Sequence, residues 1–477
     1  MTELIVLGVD GVAPEYLERA IEEREVPGWE RLMDEAFYTR LPSTVPAVTI
    51  PAWITMFSGY GPGKLDAYHL SEADFDEWEP SFPDSSRFQG RFFWDNMEKE
   101  VALHYVPGTT PAYPVNGVMR GGFPSPHDFD FSPEDLGEEF RDLERIDAHQ
   151  RKTAKGKIQA EYHNFEVERE IADRFYEKNP EVWVSVIRMT DQVSHFAEKD
   201  EHVIDSYVKA DGEVRKALER AEEDDANLIV VSDHGFFHSD TMFNISAFLQ
   251  ELGLQEVEEG GGESLLYRIA EPLLDTPLKK YMKIAHSYYK DLTGRNLSGK
   301  SDNVLEDVKK SSEVLPKHFG LGKDCVLKIH TEDMPHGHVT EERKHEIIDE
   351  LEEELESLEK DGEKVVDQVW RGKELYGEGG PEIAFRTTDD FIVETAPASR
   401  KFSKTNTYTH REDGVFFAKG PDIEEEADGE LEIADVAPLV YALLDEKVPR
   451  DIDGDLPEDL VPGKSSETRT EIDGIDF

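Results

Sequence analysis

Three short runs of consecutive apolar residues punctuate the chain: LIVLGVDGV at 4–12, VWVSVIRMTD at 182–191 and NLIVVSDHG at 227–235. Each is too continuous for a half-exposed strand and too short for a buried helix, which is the pattern of strands covered on both faces. Each ends in an aspartate: Asp10, Asp191 and Asp233. A helix-like stretch opening at Pro14 follows the first run, and QVSHFAEK follows the second. Strands alternating with helices predict an α/β fold with a mostly parallel central sheet, helices on both faces, and ligands beyond the carboxyl ends of the strands.

The alternation breaks twice. Between about 66 and 160 the chain is rich in aromatic residues, proline and glycine (YVPGTTPAYPVNGVMRGGFPSP), and is expected to form loops covering the site. Residues 250–323 contain KKYMKIAHSYYKDL, unusually lysine-rich for this chain, and are expected to form an inserted helical cap. TEERKHEIIDELEEELESLEKDG, at 340–362, places Ile347, Ile348, Leu351, Leu355 and Leu358 near helical spacing and predicts a surface helix packed on a core. The expected division is a core of 1–249 and 324–462, a cap of 250–323 and a frayed tail of 463–477.

Composition narrows the partners. The 477 residues include 52 Lys plus Arg against 105 Asp plus Glu, a net charge of −53, which repels nucleic-acid phosphates and anionic membrane surfaces. The single cysteine, Cys325, permits no internal disulfide and no cysteine-based zinc cluster. No run approaches ~20 apolar residues, so no transmembrane helix is expected. The start MTELIVLGVD lacks the basic segment and long apolar run of a signal peptide, so a cytoplasmic location is expected. The acidic residues are spread along the whole chain, as on a solvated surface, and a salt-rich cytoplasm is the simplest cause.

Taken singly, the candidate chemical groups are ambiguous. An aspartate at a strand end is often a helix N-cap. Asp191 and His195 are four apart, so a helical turn puts them on one face, where they could share a metal ion. Asp233-His234 could be a solvent-facing loop pair, and His410 in TYTHREDGVFFAKGP stands alone. In LPSTVPAVTIPAWITMFSGYGPGK, at 41–64, the hydroxyls of Ser43, Thr44 and Thr49 are ordinary turn or cap candidates, but only Thr49 has a helix directly behind it. A helix N-terminus favours a phosphate oxyanion.

These segments, in this order, resemble the alkaline phosphatase superfamily, and within it the type I phosphodiesterase/nucleotide pyrophosphatase branch. The resemblance runs from GVDG at 8–11 through TVPAVTIPAW, NGVMRGGFPSP, DQVSH and VVSDHGF to THREDGVFFAKGP and LEIADVAPLVYALL. It implies two divalent metal ions, usually zinc, with manganese or iron also suited to these N and O ligands. Asp10, Thr49, Asp233 and His234 would hold one; Asp191, His195 and His410 would hold the other. It further implies that Thr49, ten residues before Gly59, is the nucleophile and forms a phosphothreonine intermediate. The chain departs from its relatives at Leu65-Asp66, where they have a His-Gly pair, and at Leu70, where nucleotide pyrophosphatases have a phosphoryl-binding asparagine. The expected substrate is a small phosphate ester, a diester in preference to a monoester because the Thr49 segment resembles the diesterase branch and no arginine clamp is evident beside the implied metal pair. For a monoesterase the missing cation would be sought at Lys64, Arg120 or Arg188. The alternatives are a phosphomonoesterase or a phosphomutase of the same superfamily. A sulfatase lacks support, because Cys325 sits in GKDCVLK and not in a CxPxR pattern, and a non-catalytic binding protein would not need all seven ligand-capable side chains. The sequence carries no signal for oligomeric state.

The charge generates one prediction. At molar salt the Debye length is ~3 Å and self-repulsion is screened. The thermal unfolding midpoint should therefore rise steeply between dilute buffer and concentrated KCl; an unchanged midpoint would remove the salt-adaptation reading.

Overall fold

Six consecutive buried residues, Leu4–Val9, form the central strand β1. Its side chains alternate between two cores: Leu4 and Val6 enter one, Ile5, Leu7 and Val9 the other. This is why its sequence is apolar throughout. The computed structural model describes residues 1–124, 130–257, 305 and 308–464. In chain order the sheet around β1 comprises β2 (Phe37–Pro42), β3 (Val101–Val106), β4 (Gly117–Gly121), β5 (Phe131–Ser132), β6 (Val182–Ile187), β7 (Asn227–Val231) and β8 (Asp413–Lys419). Their spatial order is β2-β8-β7-β1-β6-β3-β4-β5. The inner strands from β7 to β4 pair in parallel, and β8, β2 and β5 add antiparallel edges.

The helices are α1 (Pro14–Glu23), α2 (Pro27–Glu35), α3 (Thr49–Ser58), α4 (Ala154–Tyr176), α5 (Met189–His195), α6 (Asp200–Asp224) and α7 (Val436–Leu443). Helices α3 and α7 cover one face through Trp53, Phe57, Leu439 and Tyr441, while α1, α2, α4 and α6 cover the other through Leu17, Trp29, Phe175 and Tyr207. The expected fold class is thus the observed one. Gly8 lets α3 approach β1: a Cβ there would lie 2.3 Å from Trp53 Cη2. Gly59 ends α3 at φ 75°, a left-handed C-cap that glycine adopts without strain.

The chain falls into two compact units: Met1–Leu70, Pro83–His238 and Thr407 onward, and Ser71–Phe82 with Ser239–Asn406. The sheet above belongs to the first. In the second, Val314–Pro316, Asp324–Ile329, Ile383–Thr387 and Val366–Arg371 form an antiparallel sheet, and the helix Glu341–Glu356 buries Ile347, Leu351 and Leu355 as its spacing predicts. Cys325 is buried there, and burial pushes its thiol pKa up. This division differs from the expected one in two respects. Residues 71–82, 239–249 and 324–406, expected in the core, belong to the second unit. The region 66–160, expected to be loops, supplies β3, β4, β5 and the start of α4. The run VALHYV of β3 was obscured by His104 and Tyr105; the sheet accommodates Tyr105 at φ 58° in a bulge. Most of the expected cap, 258–304, and the tail from 465 lie outside the described residues. No described helix is long and apolar enough to cross a membrane.

A buried polar network ties β3 and β6 to α4. His104 bridges Ser185 Oγ (2.9 Å) and Glu168 Oε2 (3.1 Å), and Arg120 donates to Glu168 Oε1 at 3.1 Å with Arg145 Nε 3.4 Å away. Burial alone would raise the Glu168 pKa, but Arg120, His104 and Arg145 outweigh it and hold it at about 2 against an ordinary 4.5. A depressed carboxylate contributes stability above its unfolded pKa, and that contribution is lost as pH falls through the folded one. Glu168→Gln should therefore lower stability by about 3 kcal/mol at neutral pH. The deficit, measured by urea unfolding, should shrink between pH 4.5 and about 2; a constant deficit would refute the charge-based account.

Candidate metal centre and nucleophile

The parallel register of β7, β1 and β6 brings their carboxyl ends together, and with them Asp10, Asp191 and the Asp233-His234 pair. Asp10 follows β1 directly, and its amide donates to Ile187 O at 2.9 Å. Asp191 and His195 lie one turn apart on α5, as their spacing predicts. Asp233 and His234 follow β7, and His410 precedes β8. Thr49 is the first residue of α3, and its Oγ1 lies 3.2 Å from His234 Nε2. Of the other candidate hydroxyls, Thr44 donates to Pro46 O at 2.7 Å, and Ser43 Oγ is buried without a hydrogen-bond partner. All seven implied residues belong to the first unit; six are buried, and His195 alone reaches the surface.

The three carboxylates share one arrangement. Each has one oxygen held by donors and one buried oxygen without a hydrogen-bond partner: Asp10 Oδ1, Asp191 Oδ1 and Asp233 Oδ2. Asp10 Oδ2 accepts from Trp53 Nε1 at 3.4 Å and Arg188 Nε at 3.3 Å, and Asp191 Oδ2 from Arg188 Nη2 at 2.9 Å and Gln192 Nε2 at 2.8 Å. Asp233 Oδ1 accepts from the Gly11 amide at 3.2 Å. The orphaned oxygens face imidazole nitrogens. Asp191 Oδ1 is 3.3 Å from Nε2 of both His195 and His410, which are themselves 2.9 Å apart. Asp10 Oδ1 and Asp233 Oδ2 are 3.6 and 3.2 Å from His234 Nε2.

These residues fit divalent ions. Ligand atoms bound at about 2.0–2.1 Å by one tetrahedral ion lie roughly 3.3 Å apart, close to the Asp191-His195-His410 spacing. His234 Nδ1–H donates to Gly235 O at 3.1 Å, which leaves the Nε2 lone pair facing inward in the tautomer a metal requires. Two candidate ligand groups form, Asp191 with His195 and His410, and Asp10 with Asp191 and His234; Asp191 is common to both. The electrostatics point the same way. Burial, then Asp191, pushes Asp10 up to about 8, and burial with Asp10 and Asp191 drives Asp233 well above the carboxylate range. Burial would also raise Asp191, but His195, His410 and Arg188 hold it well below. Burial lowers His234 and His410, keeping them neutral.

Sequence reasoning missed Trp53, Gln192 and the role of Arg188. No arginine clamp was evident beside the candidate ligands from sequence; Arg188, directly after the apolar run of β6, contacts both Asp10 and Asp191. A charged residue closing such a run was the available signal. Lys64 is occupied by Asp453 at 2.6 Å, and the departures at Asp66 and Leu70 go to a surface pair with Arg87 and to core packing. A cavity of about 160 Å³ adjoins the site, lined among others by Tyr105, Phe123, Phe165, Arg188 and Gln192.

No curated protein sequence matches the chain significantly. Among solved structures it is similar to phosphonoacetate hydrolase from Sinorhizobium meliloti 1021 (12% identity, TM-score 0.56, covering 93% of this chain and 95% of that one). It is also similar to murine ectonucleotide pyrophosphatase / phosphodiesterase 5 (12%, 0.52, 94% and 97%) and to alkaline phosphatase PafA (14%, 0.56, 96% and 98%). At these identities the likeness is one of fold. The family model for type I phosphodiesterase / nucleotide pyrophosphatase matches residues 4–398, ending short of His410. The chain therefore belongs to the type I phosphodiesterase / nucleotide pyrophosphatase family, phosphoryl hydrolases of the alkaline phosphatase superfamily.

Proposed function

We propose that the protein is a two-metal phosphodiesterase acting on a small phosphate ester through Thr49. The observation that carries this reading is the set of three buried carboxylates, each with one orphaned oxygen, converging with three imidazoles on a helix N-terminus. Asp10, Thr49, Asp233 and His234 would hold one ion, and Asp191, His195 and His410 the other, with zinc the best match to the donor set. Bound there, the ions supply Lewis acidity that lowers the pKa of a coordinated hydroxyl and offsets charge on the phosphoryl oxygens.

The chain's own residues set the geometry of the reaction. Thr49 Oγ1 attacks phosphorus, the bond to the leaving oxygen breaks, and the resulting phosphothreonine is then hydrolysed by water. The hydroxyl proton leaves with the displaced alcohol or to solvent, and water restores it in the second step. The amides of Thr49 and Ile50 have no intrahelical partner and can donate to the phosphoryl group; Pro51 has none to give. Buried Asp10 and Asp191 already occupy Arg188, which favours the single charge of a diester over the two charges of a monoester. The cavity beside Arg188, where Tyr105, Phe123 and Phe165 stand among charged residues such as Arg145 and Glu161, would take the second substituent. The murine relative, of which an inactive form is in complex with AMP, supports a phosphate ester with an organic substituent.

Three measurements test this. Thr49→Ala should reduce kcat by about three orders of magnitude or more while metal analysis still finds an ion at the Asp191 site; undiminished turnover would place the nucleophile elsewhere. Chelation should abolish activity, and added zinc or manganese should restore it. The ratio of kcat/KM for bis(p-nitrophenyl) phosphate over p-nitrophenyl phosphate should exceed one and fall in Phe165→Trp, which fills the cavity; a ratio below one would favour the monoesterase.

A further inference from the structure

Arg188 is nearly buried, 7% exposed, and its guanidinium carbon lies 3.6 Å from the centre of the Phe123 ring. The Nε and Nη2 edge of a guanidinium ordinarily grips a single carboxylate with two parallel hydrogen bonds. Here that edge is divided. Nε goes to Asp10 and Nη2 to Asp191, two carboxylates from different elements and 181 positions apart in the chain.

We propose that Arg188 is a positioning residue that joins the two halves of the candidate metal centre, fixing the outer oxygens of Asp10 and Asp191 so that their inner oxygens face the imidazoles. The inference rests on the metal reading above. The pair Arg188–Asp191 is local, one turn of α5; the pair Arg188–Asp10 is long-range and ties the end of β1 to that turn. Because both bonds come from one rigid fork, the separation of the two carboxylates is set by the guanidinium and not by two independent side chains.

The other donors cannot replace it. Without Arg188, Asp10 Oδ2 keeps only Trp53, and Asp191 Oδ2 keeps only Gln192; neither donor touches the other aspartate. Each carboxylate could then rotate and exchange its inner and outer oxygens. A purely structural ion pair would have no reason to leave Asp10 Oδ1 buried without a partner and Asp191 Oδ1 facing only the imidazole nitrogens of His195 and His410. Phe123 limits the guanidinium to the plane in which both contacts are met.

The test is metal affinity, measured by chelator competition, together with the visible absorption of the cobalt-substituted protein, in Arg188→Gln, Arg188→Lys and Gln192→Leu. Arg188→Gln should weaken both sites by about 10- to 100-fold and change the cobalt spectrum. Arg188→Lys should not rescue them, because an ammonium is a point donor without the fork. Gln192→Leu, which leaves both Arg188 contacts in place, should weaken chiefly the site of Asp191, His195 and His410 and less than Arg188→Gln does. Unfolding of the metal-free variants, followed by circular dichroism, separates these effects from loss of fold; should Arg188→Gln fail to fold, Arg188→Lys, which keeps the charge, carries the comparison. Wild-type protein that takes up no metal would overturn the metal reading itself. Two ions in the wild type with unchanged affinity in the Arg188 variants, rescue by lysine, or loss from one site alone would overturn this proposal and leave that reading standing.

Discussion

Like charges brought together in a water-poor pocket repel strongly, and three carboxylates meeting at the ends of adjacent strands are the constraint around which this site is organised. Asp10, Asp191 and Asp233 are fully buried. Their repulsion is only partly offset by Arg188, Trp53, Gln192 and the Gly11 amide, each of which holds an outer oxygen. Burial first, and then the neighbouring carboxylates, raise the pKa values of Asp10 and Asp233. Divalent cations held among the inner oxygens, as proposed above, would supply positive charge at that place.

The scaffold makes the convergence obligatory. In a parallel sheet the carboxyl ends of neighbouring strands lie together, so polar residues after β1, β6 and β7 meet whatever their separation in sequence. The absent side chain at Gly8 then lets Trp53 rest on β1, and the same indole donates to Asp10. One close approach thus positions both the helix that begins at Thr49 and one oxygen of a candidate ligand.

Substrate preference lies at a different level. The family fixes phosphoryl chemistry, but the positions that differ from relatives have local duties: Asp66 pairs with Arg87, and Leu70 packs against the core. The cavity beside the candidate metal centre is lined instead by residues that include Tyr105, Phe123, Phe165, Arg188 and Gln192. Arg188 belongs to both the cavity lining and the carboxylate cluster, so the cavity and the two aspartates meet at a single guanidinium.

The fold class was legible because it depends on local signals: strands buried on both faces must be apolar throughout, and an aspartate ending each run is visible by position. The seven candidate residues came as a set only through the family resemblance; spacing alone paired just Asp191 with His195 on one helical face. The membership of β3 and β4 was not legible, because His104 and Tyr105 interrupt the apolar run and only pairing with distant β6 makes it a strand. The unit boundaries were hidden for the same reason: residues 324–406 join Ser71–Phe82 through contacts that no local pattern encodes. Which hydroxyl faces His234, which oxygen of each aspartate is left free, and that Arg188 bridges two of them were decided only in three dimensions. Hydrogen-bond partners 43 to 185 positions apart are set by how strands and helices pack, whereas sequence spacing constrains only neighbours within a turn or a pleat.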